Sequence, residues 1–157
     1  MRKIVFSIVA TIILSCVLCA CTSFDITIEN TNWHLQVAIR ADIENQDSQV
    51  IARSDEWVVE NTLTPIVDVI LVANDEIITI TDNVDTNKSF IGTYKKVDVI
   101  GVETVVYKVT VNDLSGNATV STTKYNDGSK IKTLILTLLK EDIQYTLNFI
   151  SKKLTLK

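Results

Sequence analysis

Three cysteines, one histidine and a scatter of acids are the residues of this 157-residue chain whose side chains could do covalent, acid–base or metal chemistry. The single histidine, His34, stands between Trp33 and Leu35, where alternation sets it opposite two apolar neighbours and toward water. Nucleophilic hydrolysis needs an imidazole beside an activated hydroxyl or thiol, and one solvent-facing histidine offers no such pair. Zinc needs several Cys or His ligands, more than the chain after Cys21 supplies. Asp82-Asn83-Val84-Asp85 gathers oxygen donors but lacks the glycine and the closing glutamate of a calcium loop, and reads as a solvated turn. Asp55-Glu56 and Glu141-Asp142 are adjacent acids in polar stretches, where carboxylates serve solubility more than proton transfer. No glycine-rich phosphate loop occurs. The expectation is a protein that is not an enzyme, with neither metal nor cofactor.

The cysteines carry a different message. Cys16, Cys19 and Cys21 all fall in the first 21 residues. Arg2 and Lys3 give a positive start, Ile4 to Leu18 form a nearly unbroken apolar run, and the small Ala20 sits directly before Cys21. That order is the pattern of a secretory signal peptide. Its ending, Leu18-Cys19-Ala20-Cys21, resembles the lipobox of bacterial lipoprotein precursors, with Cys19 where Ser, Thr or Ala is more usual. The resemblance implies that the Cys21 thiol is joined to a diacylglycerol, that the peptide is cut between Ala20 and Cys21, and that the new amine is often acylated. In an oxidising compartment a single leftover thiol is a liability, and lipidation gives it a use. Two other readings stay open. Ile4 to Ala20 is 17 residues, the short end of a bilayer-spanning helix, and an ordinary cleaved signal with incidental cysteines would also fit.

The expected organisation is thus a signal peptide over residues 1–20, a lipidated tether over 21–23 and one domain over 24–157. Losing Arg2 and Lys3 with the leader takes the formal net charge from −4 to −6. An acidic domain without basic runs excludes nucleic acid as a natural partner and gives little attraction to anionic lipid. Membrane attachment would come from acyl chains on Cys21, two or more of which hold stably. The expected location is the cell envelope, facing periplasm or exterior. Thr22 rather than Asp follows the cysteine, which by the rule of the resembled family points to an outer membrane where two membranes exist. No protein partner is indicated by the residues.

The body reads as strands. Glycines are few, Pro65 is the only proline, and Val, Ile and Thr abound. Val105, Tyr107, Val109 and Val111 alternate with polar residues, as do Ile143, Tyr145, Leu147 and Phe149. Such period-two patterns mean antiparallel strands with one face in a core. Asp127-Gly128 marks a hairpin, Asn74-Asp75 divides two further strands, and Asp113 to Asn117 is expected to connect another pair. Phe24, Ile26 and Ile28 predict a first strand. Trp33 to Ile39 predict another, while Val50–Ala52 and Trp57–Glu60 are weaker candidates. Asp42–Ser48 and Asp82–Lys88 read as polar loops. Lys132 to Leu139 is short and apolar; Thr133, Thr137 and the preceding hairpin favour strand. The fold class is all-β, an antiparallel meander most readily closed as a barrel of eight to ten strands, since closure removes exposed edges. A β-sandwich is the alternative.

With these strands placed, the body resembles the lipocalin-like domains of bacterial lipoproteins. Asn32-Trp33 with Leu35 stands where lipocalins carry Gly-x-Trp, with Thr31 in place of the glycine. Gly92-Thr93-Tyr94 follows a polar loop, and the repeated hairpins end in Tyr145-Thr146-Leu147-Asn148-Phe149. The resemblance implies a barrel that holds a small apolar or amphipathic ligand. Trp33, Trp57, Tyr94, Tyr107 and Tyr145 are the candidate lining. The competing and favoured expectation is that these aromatics fill the core, Trp33 closing one end, although strand faces alone do not decide between the two. An envelope interaction module, inhibitor or adhesin in type, would then work without a cavity. Metabolic labelling with a clickable palmitate analogue is expected to tag the wild-type chain and to leave Cys21→Ser untagged; equal labelling of the two would refute lipidation at this residue.

Overall fold

The computed structural model describes residues 26–55, 64–85, 87–101, 103–124, 126 and 128–152. Among these described residues nine strands follow one another: β1 (Trp33–Asp42), β2 (Asp47–Arg53), β3 (Val69–Asn74), β4 (Ile77–Asp82), β5 (Ser89–Ile100), β6 (Thr104–Val111), β7 (Leu114–Lys124), β8 (Lys130–Lys140) and β9 (Ile143–Ile150). Strands β3 to β9 pair in sequence as an antiparallel meander, and β9 returns to β1 along most of its length. β1 also meets β3, so eight strands close into a barrel, with β2 as a ninth strand folded back on β1. The protein is therefore all-β and closed, a lipocalin-like barrel rather than a sandwich.

Closure rests on one bent strand. The first residues of β1 pair with β3 through Trp33↔Leu71 and His34↔Ile70, while Val37 to Asp42 pair with β2 on that same side. Gln36 bulges against β9, and a second irregularity lies between Ala38 and Ile39 against β2. Bulges bend a strand and raise its twist, which lets β1 serve three neighbours. Beyond β2, the Arg53 N–H donates to the Pro65 carbonyl (3.0 Å) and the Val67 N–H to the Arg53 carbonyl (2.8 Å). Residues 65–67 thereby fill the gap between β2 and β3.

Alternation decides which side chains point inward. Val105, Tyr107, Val109 and Val111 of β6 are buried, and Lys108 and Thr110 are exposed. The ambiguous run after Ile131 is strand β8, with Leu134, Leu136 and Leu138 buried. Trp33, Leu71, Ile78, Val120 and Leu134 are completely buried, each large aliphatic among them contributing about 1.5–3 kcal/mol relative to exposure. Asp75 and Glu76 both take positive φ (49° and 63°) between β3 and β4, the pair of values a two-residue hairpin turn needs. Gly128 at φ 83° serves the β7–β8 turn where Asp127-Gly128 marked one.

Three expectations change. Ile26 and Ile28 are buried as their spacing implied, yet this stretch is no strand; it runs across one end of the barrel. Asp42–Ser48 is not a long loop, because β1 continues to Asp42 and β2 begins at Asp47. The Asp42 carboxylate accepts from the Asn45 N–H (3.0 Å) and the Asn45 side chain (3.0 Å), which tightens the connection to one turn. Likewise Asn112, at φ 52°, reverses the chain so sharply that Leu114 to Asn117, expected as loop, already pair in β7. The candidate strand Trp57–Glu60 lies outside the described residues.

Close approach of two strands fixes one position for glycine. A Cβ on Gly116 would sit 1.9 Å from the Thr137 carbonyl oxygen of β8. Gly116→Ala is expected to lower the unfolding free energy by about 1–3 kcal/mol, the usual cost of overpacking, measured by urea denaturation; an unchanged midpoint would show that β7 and β8 separate freely there.

Candidate functional site

The two ends of the barrel are built differently. At one end lie the N-terminal stretch and the β3–β4, β5–β6 and β7–β8 connections; at the other lie the β1–β2, β4–β5, β6–β7 and β8–β9 connections. The first end is shut. Ile26 and Ile28 pack down onto the core, and the Trp33 indole N–H donates to the Ile28 carbonyl at 2.8 Å. The Ile28 N–H in turn donates to the Tyr107 hydroxyl at 3.2 Å. Both backbone polar groups of a buried residue are thus satisfied by aromatic side chains from β1 and β6, which burial requires. Tyr94 packs edge-on against Tyr107, ring centroids 5.7 Å apart, and its hydroxyl donates to the Glu29 carboxylate. Burial first, and that hydrogen bond second, push the Tyr94 phenol well above its ordinary 10.0.

The second end is open. Here the barrel keeps an apolar cleft of about 420 Å³, within the range of small-molecule sites. Leu35, Ile39, Ile80, Val111, Leu138 and Leu147 supply much of its wall, and Asn112 and Tyr145 are the two polar side chains that reach it. Ala38 and Ala52 also line it; their short side chains leave the space that larger inward residues fill elsewhere. β2 and residues 67–69 contribute one wall, so the ninth strand enlarges the mouth instead of completing the cylinder.

Acidic turns surround the cleft. Asp42, Glu44 and Asp47 sit in or beside the β1–β2 turn, Asp82 and Asp85 in the β4–β5 connection, and Glu141 and Asp142 between β8 and β9. Asp68 precedes β3 and Asp113 lies between β6 and β7. The Ile43 N–H donates to the Asp142 carbonyl at 2.8 Å, tying two of these turns together. Lys88 pairs with Asp85 at 3.2 Å and Lys140 with Asp113. The Lys140 hydrogen bond holds the Asp113 carboxyl below the usual carboxylate range, and Asp113 raises the Lys140 ammonium in return. Asp42 is lowered chiefly by the Asn45 N–H, with Arg40 helping.

A larger, shallow depression of about 710 Å³ lies against the shut end, lined by His34, Asn32, Lys130, Lys132, Ser151 and Lys152 among others. Its wall mixes polar and apolar surface and it lacks the enclosure that would exclude water, so the smaller, predominantly apolar cleft is the better candidate. His34 is half-buried there, not fully exposed as alternation suggested, and its Nδ1 has no hydrogen-bond partner among the described residues.

Of the aromatics singled out in the sequence, Trp33, Tyr94 and Tyr107 come together at the shut end and Tyr145 alone reaches the cleft. Trp57 lies outside the described residues, as do Ala20 and Cys21. The aliphatic lining was missed because nothing in Leu, Ile or Val distinguishes a filled layer from an empty one; Ala38 and Ala52 were the available signal. No group of three or more His, Cys, Asp or Glu placed to hold a metal ion occurs among the described residues, and no helix among them is long and apolar enough to cross a membrane. No protein-family model matches the chain, and neither a curated protein nor a solved structure matches it.

The Tyr94 phenol gives a titration to test. Its folded value is raised, so the stability it contributes is complete below the unfolded value of 10.0 and is lost as pH climbs through and beyond that value. Tyr94→Phe is expected to flatten the decline in unfolding free energy between about pH 10 and 11. Parallel slopes for the two proteins in urea titrations would show that Tyr94 ionises as freely folded as unfolded.

Proposed function

We propose that the mature chain is a lipid-anchored binding module of the cell envelope, held by acyl chains on Cys21 and taking a small apolar or amphipathic ligand in the cleft. The observation that carries the binding half is the cleft itself. An apolar void forfeits dispersion contacts and costs stability in proportion to its size, yet the same barrel is packed shut at its other end by Trp33, Ile26 and Ile28. Space kept at one end of an otherwise filled interior is what a binding site requires.

The anchoring half rests on Leu18-Cys19-Ala20-Cys21. It has a geometric consequence. The five residues from Cys21 to Ile26 reach at most about 18 Å, and Ile26 belongs to the shut end. In this reading the shut end faces the bilayer and the cleft opens away from it. The ligand then arrives from the aqueous side, not from the anchoring membrane. A second reading, an interaction module working through its outer surface, draws on Ile77, Ile91, Val97, Val99 and Ile100, whose apolar side chains stand in water along β4 and β5.

Titration of the processed chain, held in phosphatidylcholine nanodiscs, with octanol is expected to give saturable shifts of the Leu138 and Leu147 methyl resonances. Ala52→Leu should abolish those shifts and stabilise the barrel by about 0.5–2 kcal/mol through filling. Methyl resonances indifferent to octanol would overturn the cleft as a ligand site and leave the outer-surface reading.

A further inference from the structure

We infer that the occupant of the cleft is a cationic amphiphile, an apolar body carrying its positive charge at the end that reaches the mouth; the inference rests on the binding reading above and adds its charge class. The site is the cleft, and the turns around it decide what can enter. Nine carboxylates belong to the connections and strand ends at that end of the barrel, against Lys88, Lys140 and Arg40. Both lysines are already engaged by rim acids, Asp85 and Asp113, and Arg40, which lies opposite Tyr145 in the ladder with β9, acts on Asp42, whose carboxyl it helps to hold down. The shut end is nearly balanced by contrast. Lys95, Lys96, Lys124, Lys130, Lys132 and Lys152 there face Glu29, Asp75, Glu76, Asp98 and Glu103 among the described residues. Among the described residues the acidity is therefore gathered at the mouth, not spread over the surface.

That placement matters because low-dielectric walls focus the field of charges at a cleft opening. Among the described residues the cleft interior offers an entering charge no ionised partner, since Asn112 and Tyr145 are the two polar side chains of its wall. A charged group must then remain at the rim while the apolar portion goes in. A carboxylate or sulfate head at the rim would be set among turns that carry carboxylates and be repelled by them, an effect that salt screens. A neutral head gains and loses little. An ammonium or guanidinium head meets Glu44, Glu141 and Asp142, which have no salt-bridge partner among the described residues. Fatty acids, the obvious guests of an apolar barrel, are disfavoured by this arrangement.

Three octyl amphiphiles separate the possibilities in the nanodisc-held chain: octyltrimethylammonium, octanol and octanoate, free concentrations fixed by dialysis and binding read from the Leu138 and Leu147 methyl shifts. At low salt the cation should bind about tenfold more tightly than octanol, and octanoate about tenfold more weakly. Raising the ionic strength to about 1 M, where the screening length is about 3 Å, should draw the three affinities together. The triple variant Glu44→Gln, Glu141→Gln, Asp142→Asn should narrow the ratio between cation and octanol at low salt. Equal affinities for all three at low salt, or preference for octanoate, would overturn the charge class while leaving the cleft a ligand site. Silence of the methyls to all three would remove the site and this inference with it.

Discussion

One hydrogen bond orders this barrel: the indole of Trp33 to the carbonyl of Ile28. It pins the N-terminal stretch across one end, where Ile26 and Ile28 complete the core, and so determines which end is left with space. The Tyr107 hydroxyl answers from the opposite wall by accepting the Ile28 N–H. Without these two partners the stretch would bury an unpaired peptide group, a penalty of about 1–3 kcal/mol for each donor or acceptor. The plug is thus a polar problem solved by aromatic side chains, and the apolar packing follows from it.

The asymmetry of the ends extends from packing to charge. Where the core is full, the described lysines and acids nearly balance; where the cleft lies, the turns are acidic. A turn favours Asp and Asn for conformational reasons as well, and Asp42 shows such a duty in binding Asn45. Conformation does not account for Glu44, Glu141 and Asp142, whose side chains have no hydrogen bond or ion pair of this kind in the described structure. Their common property is position around the cleft.

Much of the architecture was legible in the sequence because inward and outward residues alternate with little noise. β6 and β9 follow from the alternation of Val105 to Val111 and Ile143 to Phe149, whereas the apolar run of β8 needed Thr133, Thr137 and the preceding hairpin signal to read as strand. Closure was legible as an argument about edges. Ile26 and Ile28 misled because alternating burial does not require a neighbouring strand; a chain crossing the end of a barrel also alternates. Asn112 misled because a polar cluster cannot announce how tightly it turns. The site was the least legible part. Large aromatics drew attention to the filled end, whereas the cleft is made by ordinary aliphatics around Ala38 and Ala52, and an absence of volume has no residue type of its own.

The narrow junction between β1 and β3 remains the least secured seam of the cylinder, with Trp33↔Leu71 and His34↔Ile70 as its whole ladder, while β7 and β8 run together from Ser115↔Leu139 to Lys124↔Lys130. β2 and residues 65–67 cover that gap through the ladder from Val37↔Arg53 to Asp42↔Asp47 and the two Arg53 hydrogen bonds. The flank of the cavity on the β2 side thus hangs from β1 alone and from two loop hydrogen bonds, whereas every other stave of the cylinder is gripped by a ladder on both edges.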